Sequence, residues 1–100
     1  MTVKHIVVWR LKAQDHEAKR RDGQRVVELL GGLVGIVPSL ISLEGGPNIA
    51  PLERNWDVAI VAEFASLDDM MAYQVHPEHV KRAAQVRELA EQVTGVDYEV

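Results

Sequence analysis

The chain contains no cysteine among its 100 residues, and this absence excludes several kinds of site at once. Without thiols there are no disulfide bonds, no thiolate nucleophile and no cysteine-ligated zinc or iron–sulfur centre. A protein without disulfides suits a reducing compartment. We therefore expect a cytoplasmic location.

Long apolar runs and an excess of positive charge are also lacking. No stretch approaches the ~20 apolar residues of a membrane-spanning helix, and the first residues lack the charged and apolar segments of a signal peptide. The net charge is −4, and the short basic run at 19–21 is followed directly by Asp22. Such a charge offers no attractive surface to a polyanion. We expect neither a membrane nor a nucleic acid as a partner.

Aromatic residues are few, whereas aliphatic residues are abundant. Hydrophobic residues make up 47% of the chain, and its length fits one domain, residues 1–100. A domain of this size buries only about 60% of the surface of its unfolded chain. Part of the apolar excess therefore predicts an interface with another subunit. The five aromatic residues are Trp9, Trp56, Phe64, Tyr73 and Tyr98.

Hydrophobic periodicity predicts four strands and two helical regions. Alternation of apolar residues predicts strands at 2–12, 39–46, 56–65 and 96–100. Spacings of three and four residues predict helices at 15–35 and 66–93. The second helix should break at His76, because the residue before a proline disfavours the helical conformation. Gly95 is expected to end this helix.

This β-α-β-β-α-β order predicts an α+β protein with the ferredoxin-like fold. In that fold a four-stranded antiparallel sheet carries its helices on one face and leaves the other face bare. The bare faces of the first and third strands are apolar at their centres. We expect two such sheets to pack face to face, so that a homodimer forms a dimeric α+β barrel.

The most distinctive segment is His76-Pro77-Glu78-His79. Proline is well tolerated at the first position of a helix, which places His79 in the first turn. The positive end of the helix dipole favours the neutral imidazole, so His79 is a candidate general base. The alternative is a histidine that only bonds to the backbone or to a partner residue. His76 and His79 supply two of the three or four ligands that zinc requires, and we expect no metal and no other cofactor.

Two other polar residues lie in segments that are predicted to face apolar surroundings. His5 lies in a row of core residues, where its imidazole needs a hydrogen-bond partner from a cavity or from a neighbouring side chain. It is otherwise an ordinary core histidine. The hydroxyl of Tyr73 can stabilise an enolate by donating a hydrogen bond, or it can simply reach the surface while the ring covers the core.

Large side chains near the helix-facing side of the sheet would shape any cavity there for an apolar or aromatic ligand. Alternation places both tryptophans on that side, where the alternative is that they belong to the core. The expected ligand contacts are Trp9, Trp56, Phe64, Met70, Met71 and His76.

Val-Lys-His-Ile-Val at 3–7, Gly-Pro-Asn at 46–48, Phe-Ala-Ser at 64–66 and Tyr-x-x-His-Pro-x-His at 73–79 together resemble the stress-responsive α/β barrel (Dabb) family. The resemblance covers essentially the whole chain and implies a dimeric α+β barrel. Some members are cofactor-free enzymes, including a polyketide cyclase of aldol type, which implies a polyketide-like ligand. Carried over by motif, the catalytic residues are His79, Tyr73 and His5. The alternative is a non-catalytic protein for stress protection or ligand sequestration.

Overall fold

A computed structural model of the protein describes residues 1–100 and contains four strands and three helices. In chain order they are β1 (Val3–Leu11), α1 (His16–Gly31), β2 (Ser42–Pro47), β3 (Val58–Phe64), α2 (Leu67–Val75), α3 (Pro77–Leu89) and β4 (Ala90–Glu99).

The strands form one antiparallel sheet in the order β2-β3-β1-β4. The central strand β1 pairs with β3 on one side and with β4 on the other, while β2 extends the sheet beyond β3. The helices cover one face. This is the predicted ferredoxin-like α+β fold, which is confirmed.

The hydrophobic core lies between the sheet and the helices. Alternate residues of β1 and β3 face the core, and α1 contributes Val26, Leu29 and Leu30 to it. In β3 the buried and half-buried residues alternate without exception from Val58 to Phe64. A period of two residues is what a strand buried on one face produces. The opposite face of the sheet carries no helices.

The bare face has an aliphatic row across its centre. Ile6 of β1 pairs with Val61 of β3 on one side and with Val96 of β4 on the other. Val96 is 63% exposed, and nine of the ten β4 residues are exposed. Lys4 and Glu63, which face each other two residues along the strands from Ile6 and Val61, form an ion pair.

The end of the chain differs from the sequence-based expectation. The last helix stops at Leu89, and β4 begins at Ala90, so Gly95 lies within a strand and does not end a helix. Gly95 is paired with Val7, and a Cβ at this position would lie 2.8 Å from the carbonyl oxygen of Ile6. The glycine is therefore explained by close approach of two strands.

Other element boundaries also move inward, including the start of β2 from the expected position 39 to Ser42. Helix α1 ends at Gly31 and is followed by turns, in which Gly35 adopts φ 88°, so the helix does not reach the expected position 35. Strand β3 begins at Val58, not at Trp56. None of the helices combines the length with the apolar composition that crossing a lipid bilayer would require.

Candidate functional site

A cavity of about 400 Å³ opens between the sheet and the helices α2 and α3. Eight of its fourteen lining residues are hydrophobic. His5, Tyr73 and His79, which come from three different elements, all line it, as does Trp9. Its volume falls within the range of about 300–1,000 Å³ that is usual for small-molecule sites.

The break between α2 and α3 fixes the position of His79. In a continuous helix the carbonyl of Gln74 would accept the N–H of residue 78. Here the N–H of Glu78 donates instead to Nδ1 of His76, the residue that caps α3, over 3.1 Å. The freed carbonyl of Gln74 lies 3.1 Å from Nδ1 of His79. Pro77 thus breaks the helix in a way that supplies His79 with a backbone partner.

The imidazole of His79 is held in the form that can accept a proton. A carbonyl oxygen only accepts hydrogen bonds, so Nδ1 of His79 carries the proton and Nε2 keeps its lone pair. Burial lowers the pKa of His79 below its ordinary value, and this outweighs the bond to Gln74, which raises it. Arg87, and the rings of His5 and His76 when they are protonated, add smaller decreases. His79 is therefore neutral near pH 7.

Tyr73 supplies a protonated phenol beside His79. Its side chain is buried, with its ring centre 4.3 Å from that of His79 and 5.0 Å from that of Phe64. Burial raises the pKa of Tyr73 to about 12. At neutral pH the hydroxyl therefore remains a hydrogen-bond donor, which is the state needed to stabilise an oxyanion.

His5 approaches the cavity from β1 and is fixed by two side chains. Its Nδ1 contacts a carboxylate oxygen of Asp97, the residue directly opposite in β4. Its Nε2 lies 3.4 Å from the side-chain nitrogen of Gln74. The His5 ring is 6.3 Å from that of Tyr73, in an edge-on arrangement. A polar group is thus paired inside an otherwise apolar wall, which avoids the cost of an unsatisfied buried donor.

The other expected ligand contacts do not line this cavity. Phe64 and Met70 are buried in the core, and Met71, the next residue of α2, is 53% exposed. Consecutive helical residues point about 100° apart, so Met70 and Met71 do not share a face. The side chain of His76 caps α3.

Trp56 lies on the opposite side of the sheet, contrary to the expectation from strand alternation. It precedes β3, and its ring packs 5.3 Å from the guanidinium carbon of Arg10. It borders a second cavity together with Val8 of the bare face. The alternation rule fails here because it applies only within a strand.

Sequence reasoning missed three residues of the site: Gln74, Arg87 and Asp97. Gln74 and Arg87 line the cavity, and Asp97 holds His5. The pairing of Asp97 with His5 becomes visible only when the register of β4 against β1 is known. No group of three or more His, Cys, Asp or Glu side chains is arranged to hold a metal ion.

Comparison with solved structures gives close matches over the whole chain. A dimeric protein of unknown function with a ferredoxin-like fold, from Bacteroides fragilis NCTC 9343, is 33% identical, with a TM-score of 0.85 and coverage of 99% of this chain and 96% of that one. A hydroxynitrile lyase from Passiflora edulis is 20% identical, with a TM-score of 0.81 and coverage of 99% and 93%. At that identity the second match shows the fold alone.

A Dabb family protein from Mesorhizobium loti MAFF303099 is 21% identical, with a TM-score of 0.77 and coverage of 99% of this chain and 96% of that one. No curated protein matches the chain. The sequence profile of the Stress responsive A/B Barrel Domain matches residues 3–100. The protein therefore belongs to the stress-responsive A/B barrel (Dabb) family.

Proposed function

We propose that the protein is a homodimer that binds a small, largely apolar molecule in the cavity and acts on it as a cofactor-free lyase or cyclase. The observation that carries this proposal is a neutral imidazole and a protonated phenol side by side in one apolar cavity. His79 has a free Nε2, and the ring centre of Tyr73 lies 4.3 Å from its own. A base and an oxyanion donor are the two groups that enolate formation requires.

The proposed reaction begins when Nε2 of His79 removes a proton from the carbon next to a ligand carbonyl. The electron pair of the C–H bond passes to the carbonyl oxygen, and the hydroxyl of Tyr73 donates a hydrogen bond to the resulting enolate. The enolate carbon then forms a bond to a second carbonyl carbon, and the imidazolium of His79 returns its proton to the new alkoxide. Protons and electrons balance without a further reactant. In the lyase direction the same steps run in reverse.

His5 has a supporting role in this scheme. Because Asp97 accepts from Nδ1, the ring is held in one orientation on the cavity wall. A fixed ring there shapes the cavity wall and so limits the orientations that a ligand can adopt relative to His79, and correct orientation is a large part of many rate enhancements.

The bare face of the sheet supports the homodimer. The row Val61, Ile6 and Val96 is apolar and unpartnered within one subunit. Strand β4 is exposed along nine of its ten residues, which is unusual for a strand with an aliphatic side. Two copies packed through this face bury the row in a symmetric interface. The relative from Bacteroides fragilis, at 33% identity, is a dimer.

The lyase among the structural matches motivates this reaction class. A fold alone does not carry a reaction, so the proposal rests on the cavity groups of this chain. If the cavity binds ligands without transforming them, the protein is instead a non-catalytic ligand-sequestering member of its family. Exchange of ketone α-protons separates the two.

Hydrogen–deuterium exchange of ketone probes tests the proposal. Phenylacetone and benzoylacetone are incubated with the protein in D₂O, and loss of their α-proton signals is followed by NMR. We expect the protein to accelerate exchange. His79→Ala should lower the accelerated exchange rate by about 10²- to 10⁴-fold. His16→Ala, which removes an exposed histidine of α1, is the matched control. Equal exchange rates for His79→Ala and the native protein would disprove the catalytic role.

Binding is measured separately from exchange. Ala83 lines the cavity, so Ala83→Phe places a ring inside it while leaving the three polar groups unchanged. We expect this variant to lose the ligand-induced shifts seen in the NMR spectrum of the protein. Binding that Ala83→Phe abolishes, without any exchange by the native protein, would favour ligand sequestration.

A further inference from the structure

We propose that Gln74 is a positioning residue that holds both cavity histidines and leaves Nε2 of His79 as the one cavity imidazole nitrogen available to a ligand. The inference deepens the proposed function and rests on it only for the chemical role of His79. Gln74 lies in the last turn of α2, is half-buried and lines the cavity.

Gln74 contacts His79 through its backbone. The carbonyl oxygen of Gln74 accepts from Nδ1 of His79 over 3.1 Å. That carbonyl is free because the N–H of Glu78 donates to His76. The contact therefore depends on the helix break and persists when the Gln74 side chain is changed.

Gln74 contacts His5 through its side chain. Asp97 offers only acceptors to Nδ1 of His5, so that nitrogen carries the proton. When the ring carries that proton alone, Nε2 has a lone pair, and the side-chain nitrogen of Gln74 lies 3.4 Å from it. An amide nitrogen only donates, so it occupies this lone pair with a long hydrogen bond.

Both nitrogens of His5 and one nitrogen of His79 are thus engaged. Gln74 contacts the ring of His79 through its backbone carbonyl and the ring of His5 through its side-chain amide. An apolar side chain at position 74 would leave Nε2 of His5 as a second free base. The ring centres of His5 and Tyr73 are 6.3 Å apart. A carboxylate there would instead attract a second proton to His5. The amide is the choice that leaves a single base.

Long-range ¹H–¹⁵N correlation spectra of the ¹⁵N-labelled protein test this arrangement, because they identify which ring nitrogen of each histidine carries the proton. In the native protein near neutral pH we expect His5 and His79 both to be protonated on Nδ1. A proton on Nε2 of either histidine would overturn the proposal without the need for any variant.

Two substitutions then separate the side-chain contact from the backbone contact. In Gln74→Leu the Nε2 resonance of His5 should shift, while the proton of His79 stays on Nδ1. In Gln74→Glu the signal of an unprotonated nitrogen should be lost from His5, because carboxylates then face both nitrogens. Gln24→Leu, on the exposed side of α1, is the matched control. An unchanged His5 spectrum in folded Gln74→Leu and Gln74→Glu would also overturn the proposal.

Ketone exchange distinguishes this inference from the proposed function. If the proton positions are as expected but no exchange occurs, Gln74 holds the rings and the proposed chemistry is wrong. If exchange requires His79 but the spectra disagree, Gln74 does not position the rings. When both hold, Gln74→Leu should change the pH profile of exchange, because a second imidazole nitrogen becomes accessible.

Discussion

The imidazole of His5 and the carboxylate of Asp97 face each other across two neighbouring strands, although 92 positions separate them in the sequence. The histidine side chain is only 11% exposed, whereas that of the aspartate is 39% exposed. A residue near the end of an edge strand therefore holds a buried ring of the central strand. The orientation of the His5 ring on the cavity wall depends on this pairing.

Removing the carboxylate should destabilise the protein. Asp97→Ala leaves Nδ1 of His5 without its acceptor, and an unpaired buried donor costs about 1 to 3 kcal/mol of unfolding free energy, with the lower end expected for this half-open position. Asp97→Asn keeps an acceptor and should lose less. Urea unfolding measures both, with Glu91→Ala of the same strand as the control. The contact is unimportant if Asp97→Ala and Glu91→Ala unfold at the same urea concentration.

Two adjacent glycines of β2 should differ sharply in their tolerance of a methyl group. A Cβ at Gly45 would lie 2.3 Å from the carbonyl oxygen of Ala59 and 3.0 Å from the Cα of Ile60, whereas a Cβ at Gly46 meets nothing within 4 Å. We expect Gly45→Ala to cost about 1 to 3 kcal/mol, because backbone must shift to accommodate it. Gly46→Ala should remain close to the native stability. Thermal and urea unfolding of the pair decide the point, and similar losses in both variants would contradict it.

The stability of the fold should fall as His79 is forced to accept a proton. The ordinary histidine pKa is 6.5, and burial lowers the pKa of His79 in the folded protein. Below pH 6.5 the unfolded chain therefore binds more protons at this residue, so the stabilisation is complete above pH 6.5 and is lost as the pH falls through the folded value.

His79→Gln, which cannot titrate, should lose less unfolding free energy than the native protein between about pH 7 and pH 5. Urea unfolding at a series of pH values measures the difference, and His16→Gln controls for the loss of a histidine at an exposed position. Parallel pH curves for the native protein and His79→Gln would show that the burial of this imidazole does not affect stability.

A charge at the centre of the bare sheet face should separate the proposed dimer. Val96→Asp places a carboxylate in the aliphatic row beside Ile6, where dimer formation would bury it without a partner. We expect monomers at micromolar concentrations by analytical ultracentrifugation, with a circular dichroism spectrum like that of the native protein. Val34→Asp, at an exposed position in the turns after α1, should remain dimeric. A Val96→Asp dimer would exclude this face as the interface.

The fold could be predicted from the sequence because its signals are local. Alternation marked the faces of β1 and β3, and Pro77 marked the break between the last two helices. Boundaries were predicted less well. Glycine is common at helix ends, but Gly95 lies within β4, where close contact with Ile6 excludes a side chain. Such a contact depends on strand pairing, which no short segment of sequence reveals.

The candidate site was likewise predictable only in part. The sequence by itself determined the residue types and the helix start that brings His79 into a first turn, because proline geometry and hydrogen-bond chemistry act over a few residues. Only the tertiary structure decided that Asp97 and Gln74 hold His5, and that Trp56 faces away from the cavity. The physical reason is that a side-chain partner is set by strand register and by the packing of α2 on the sheet, and both are properties of the whole chain.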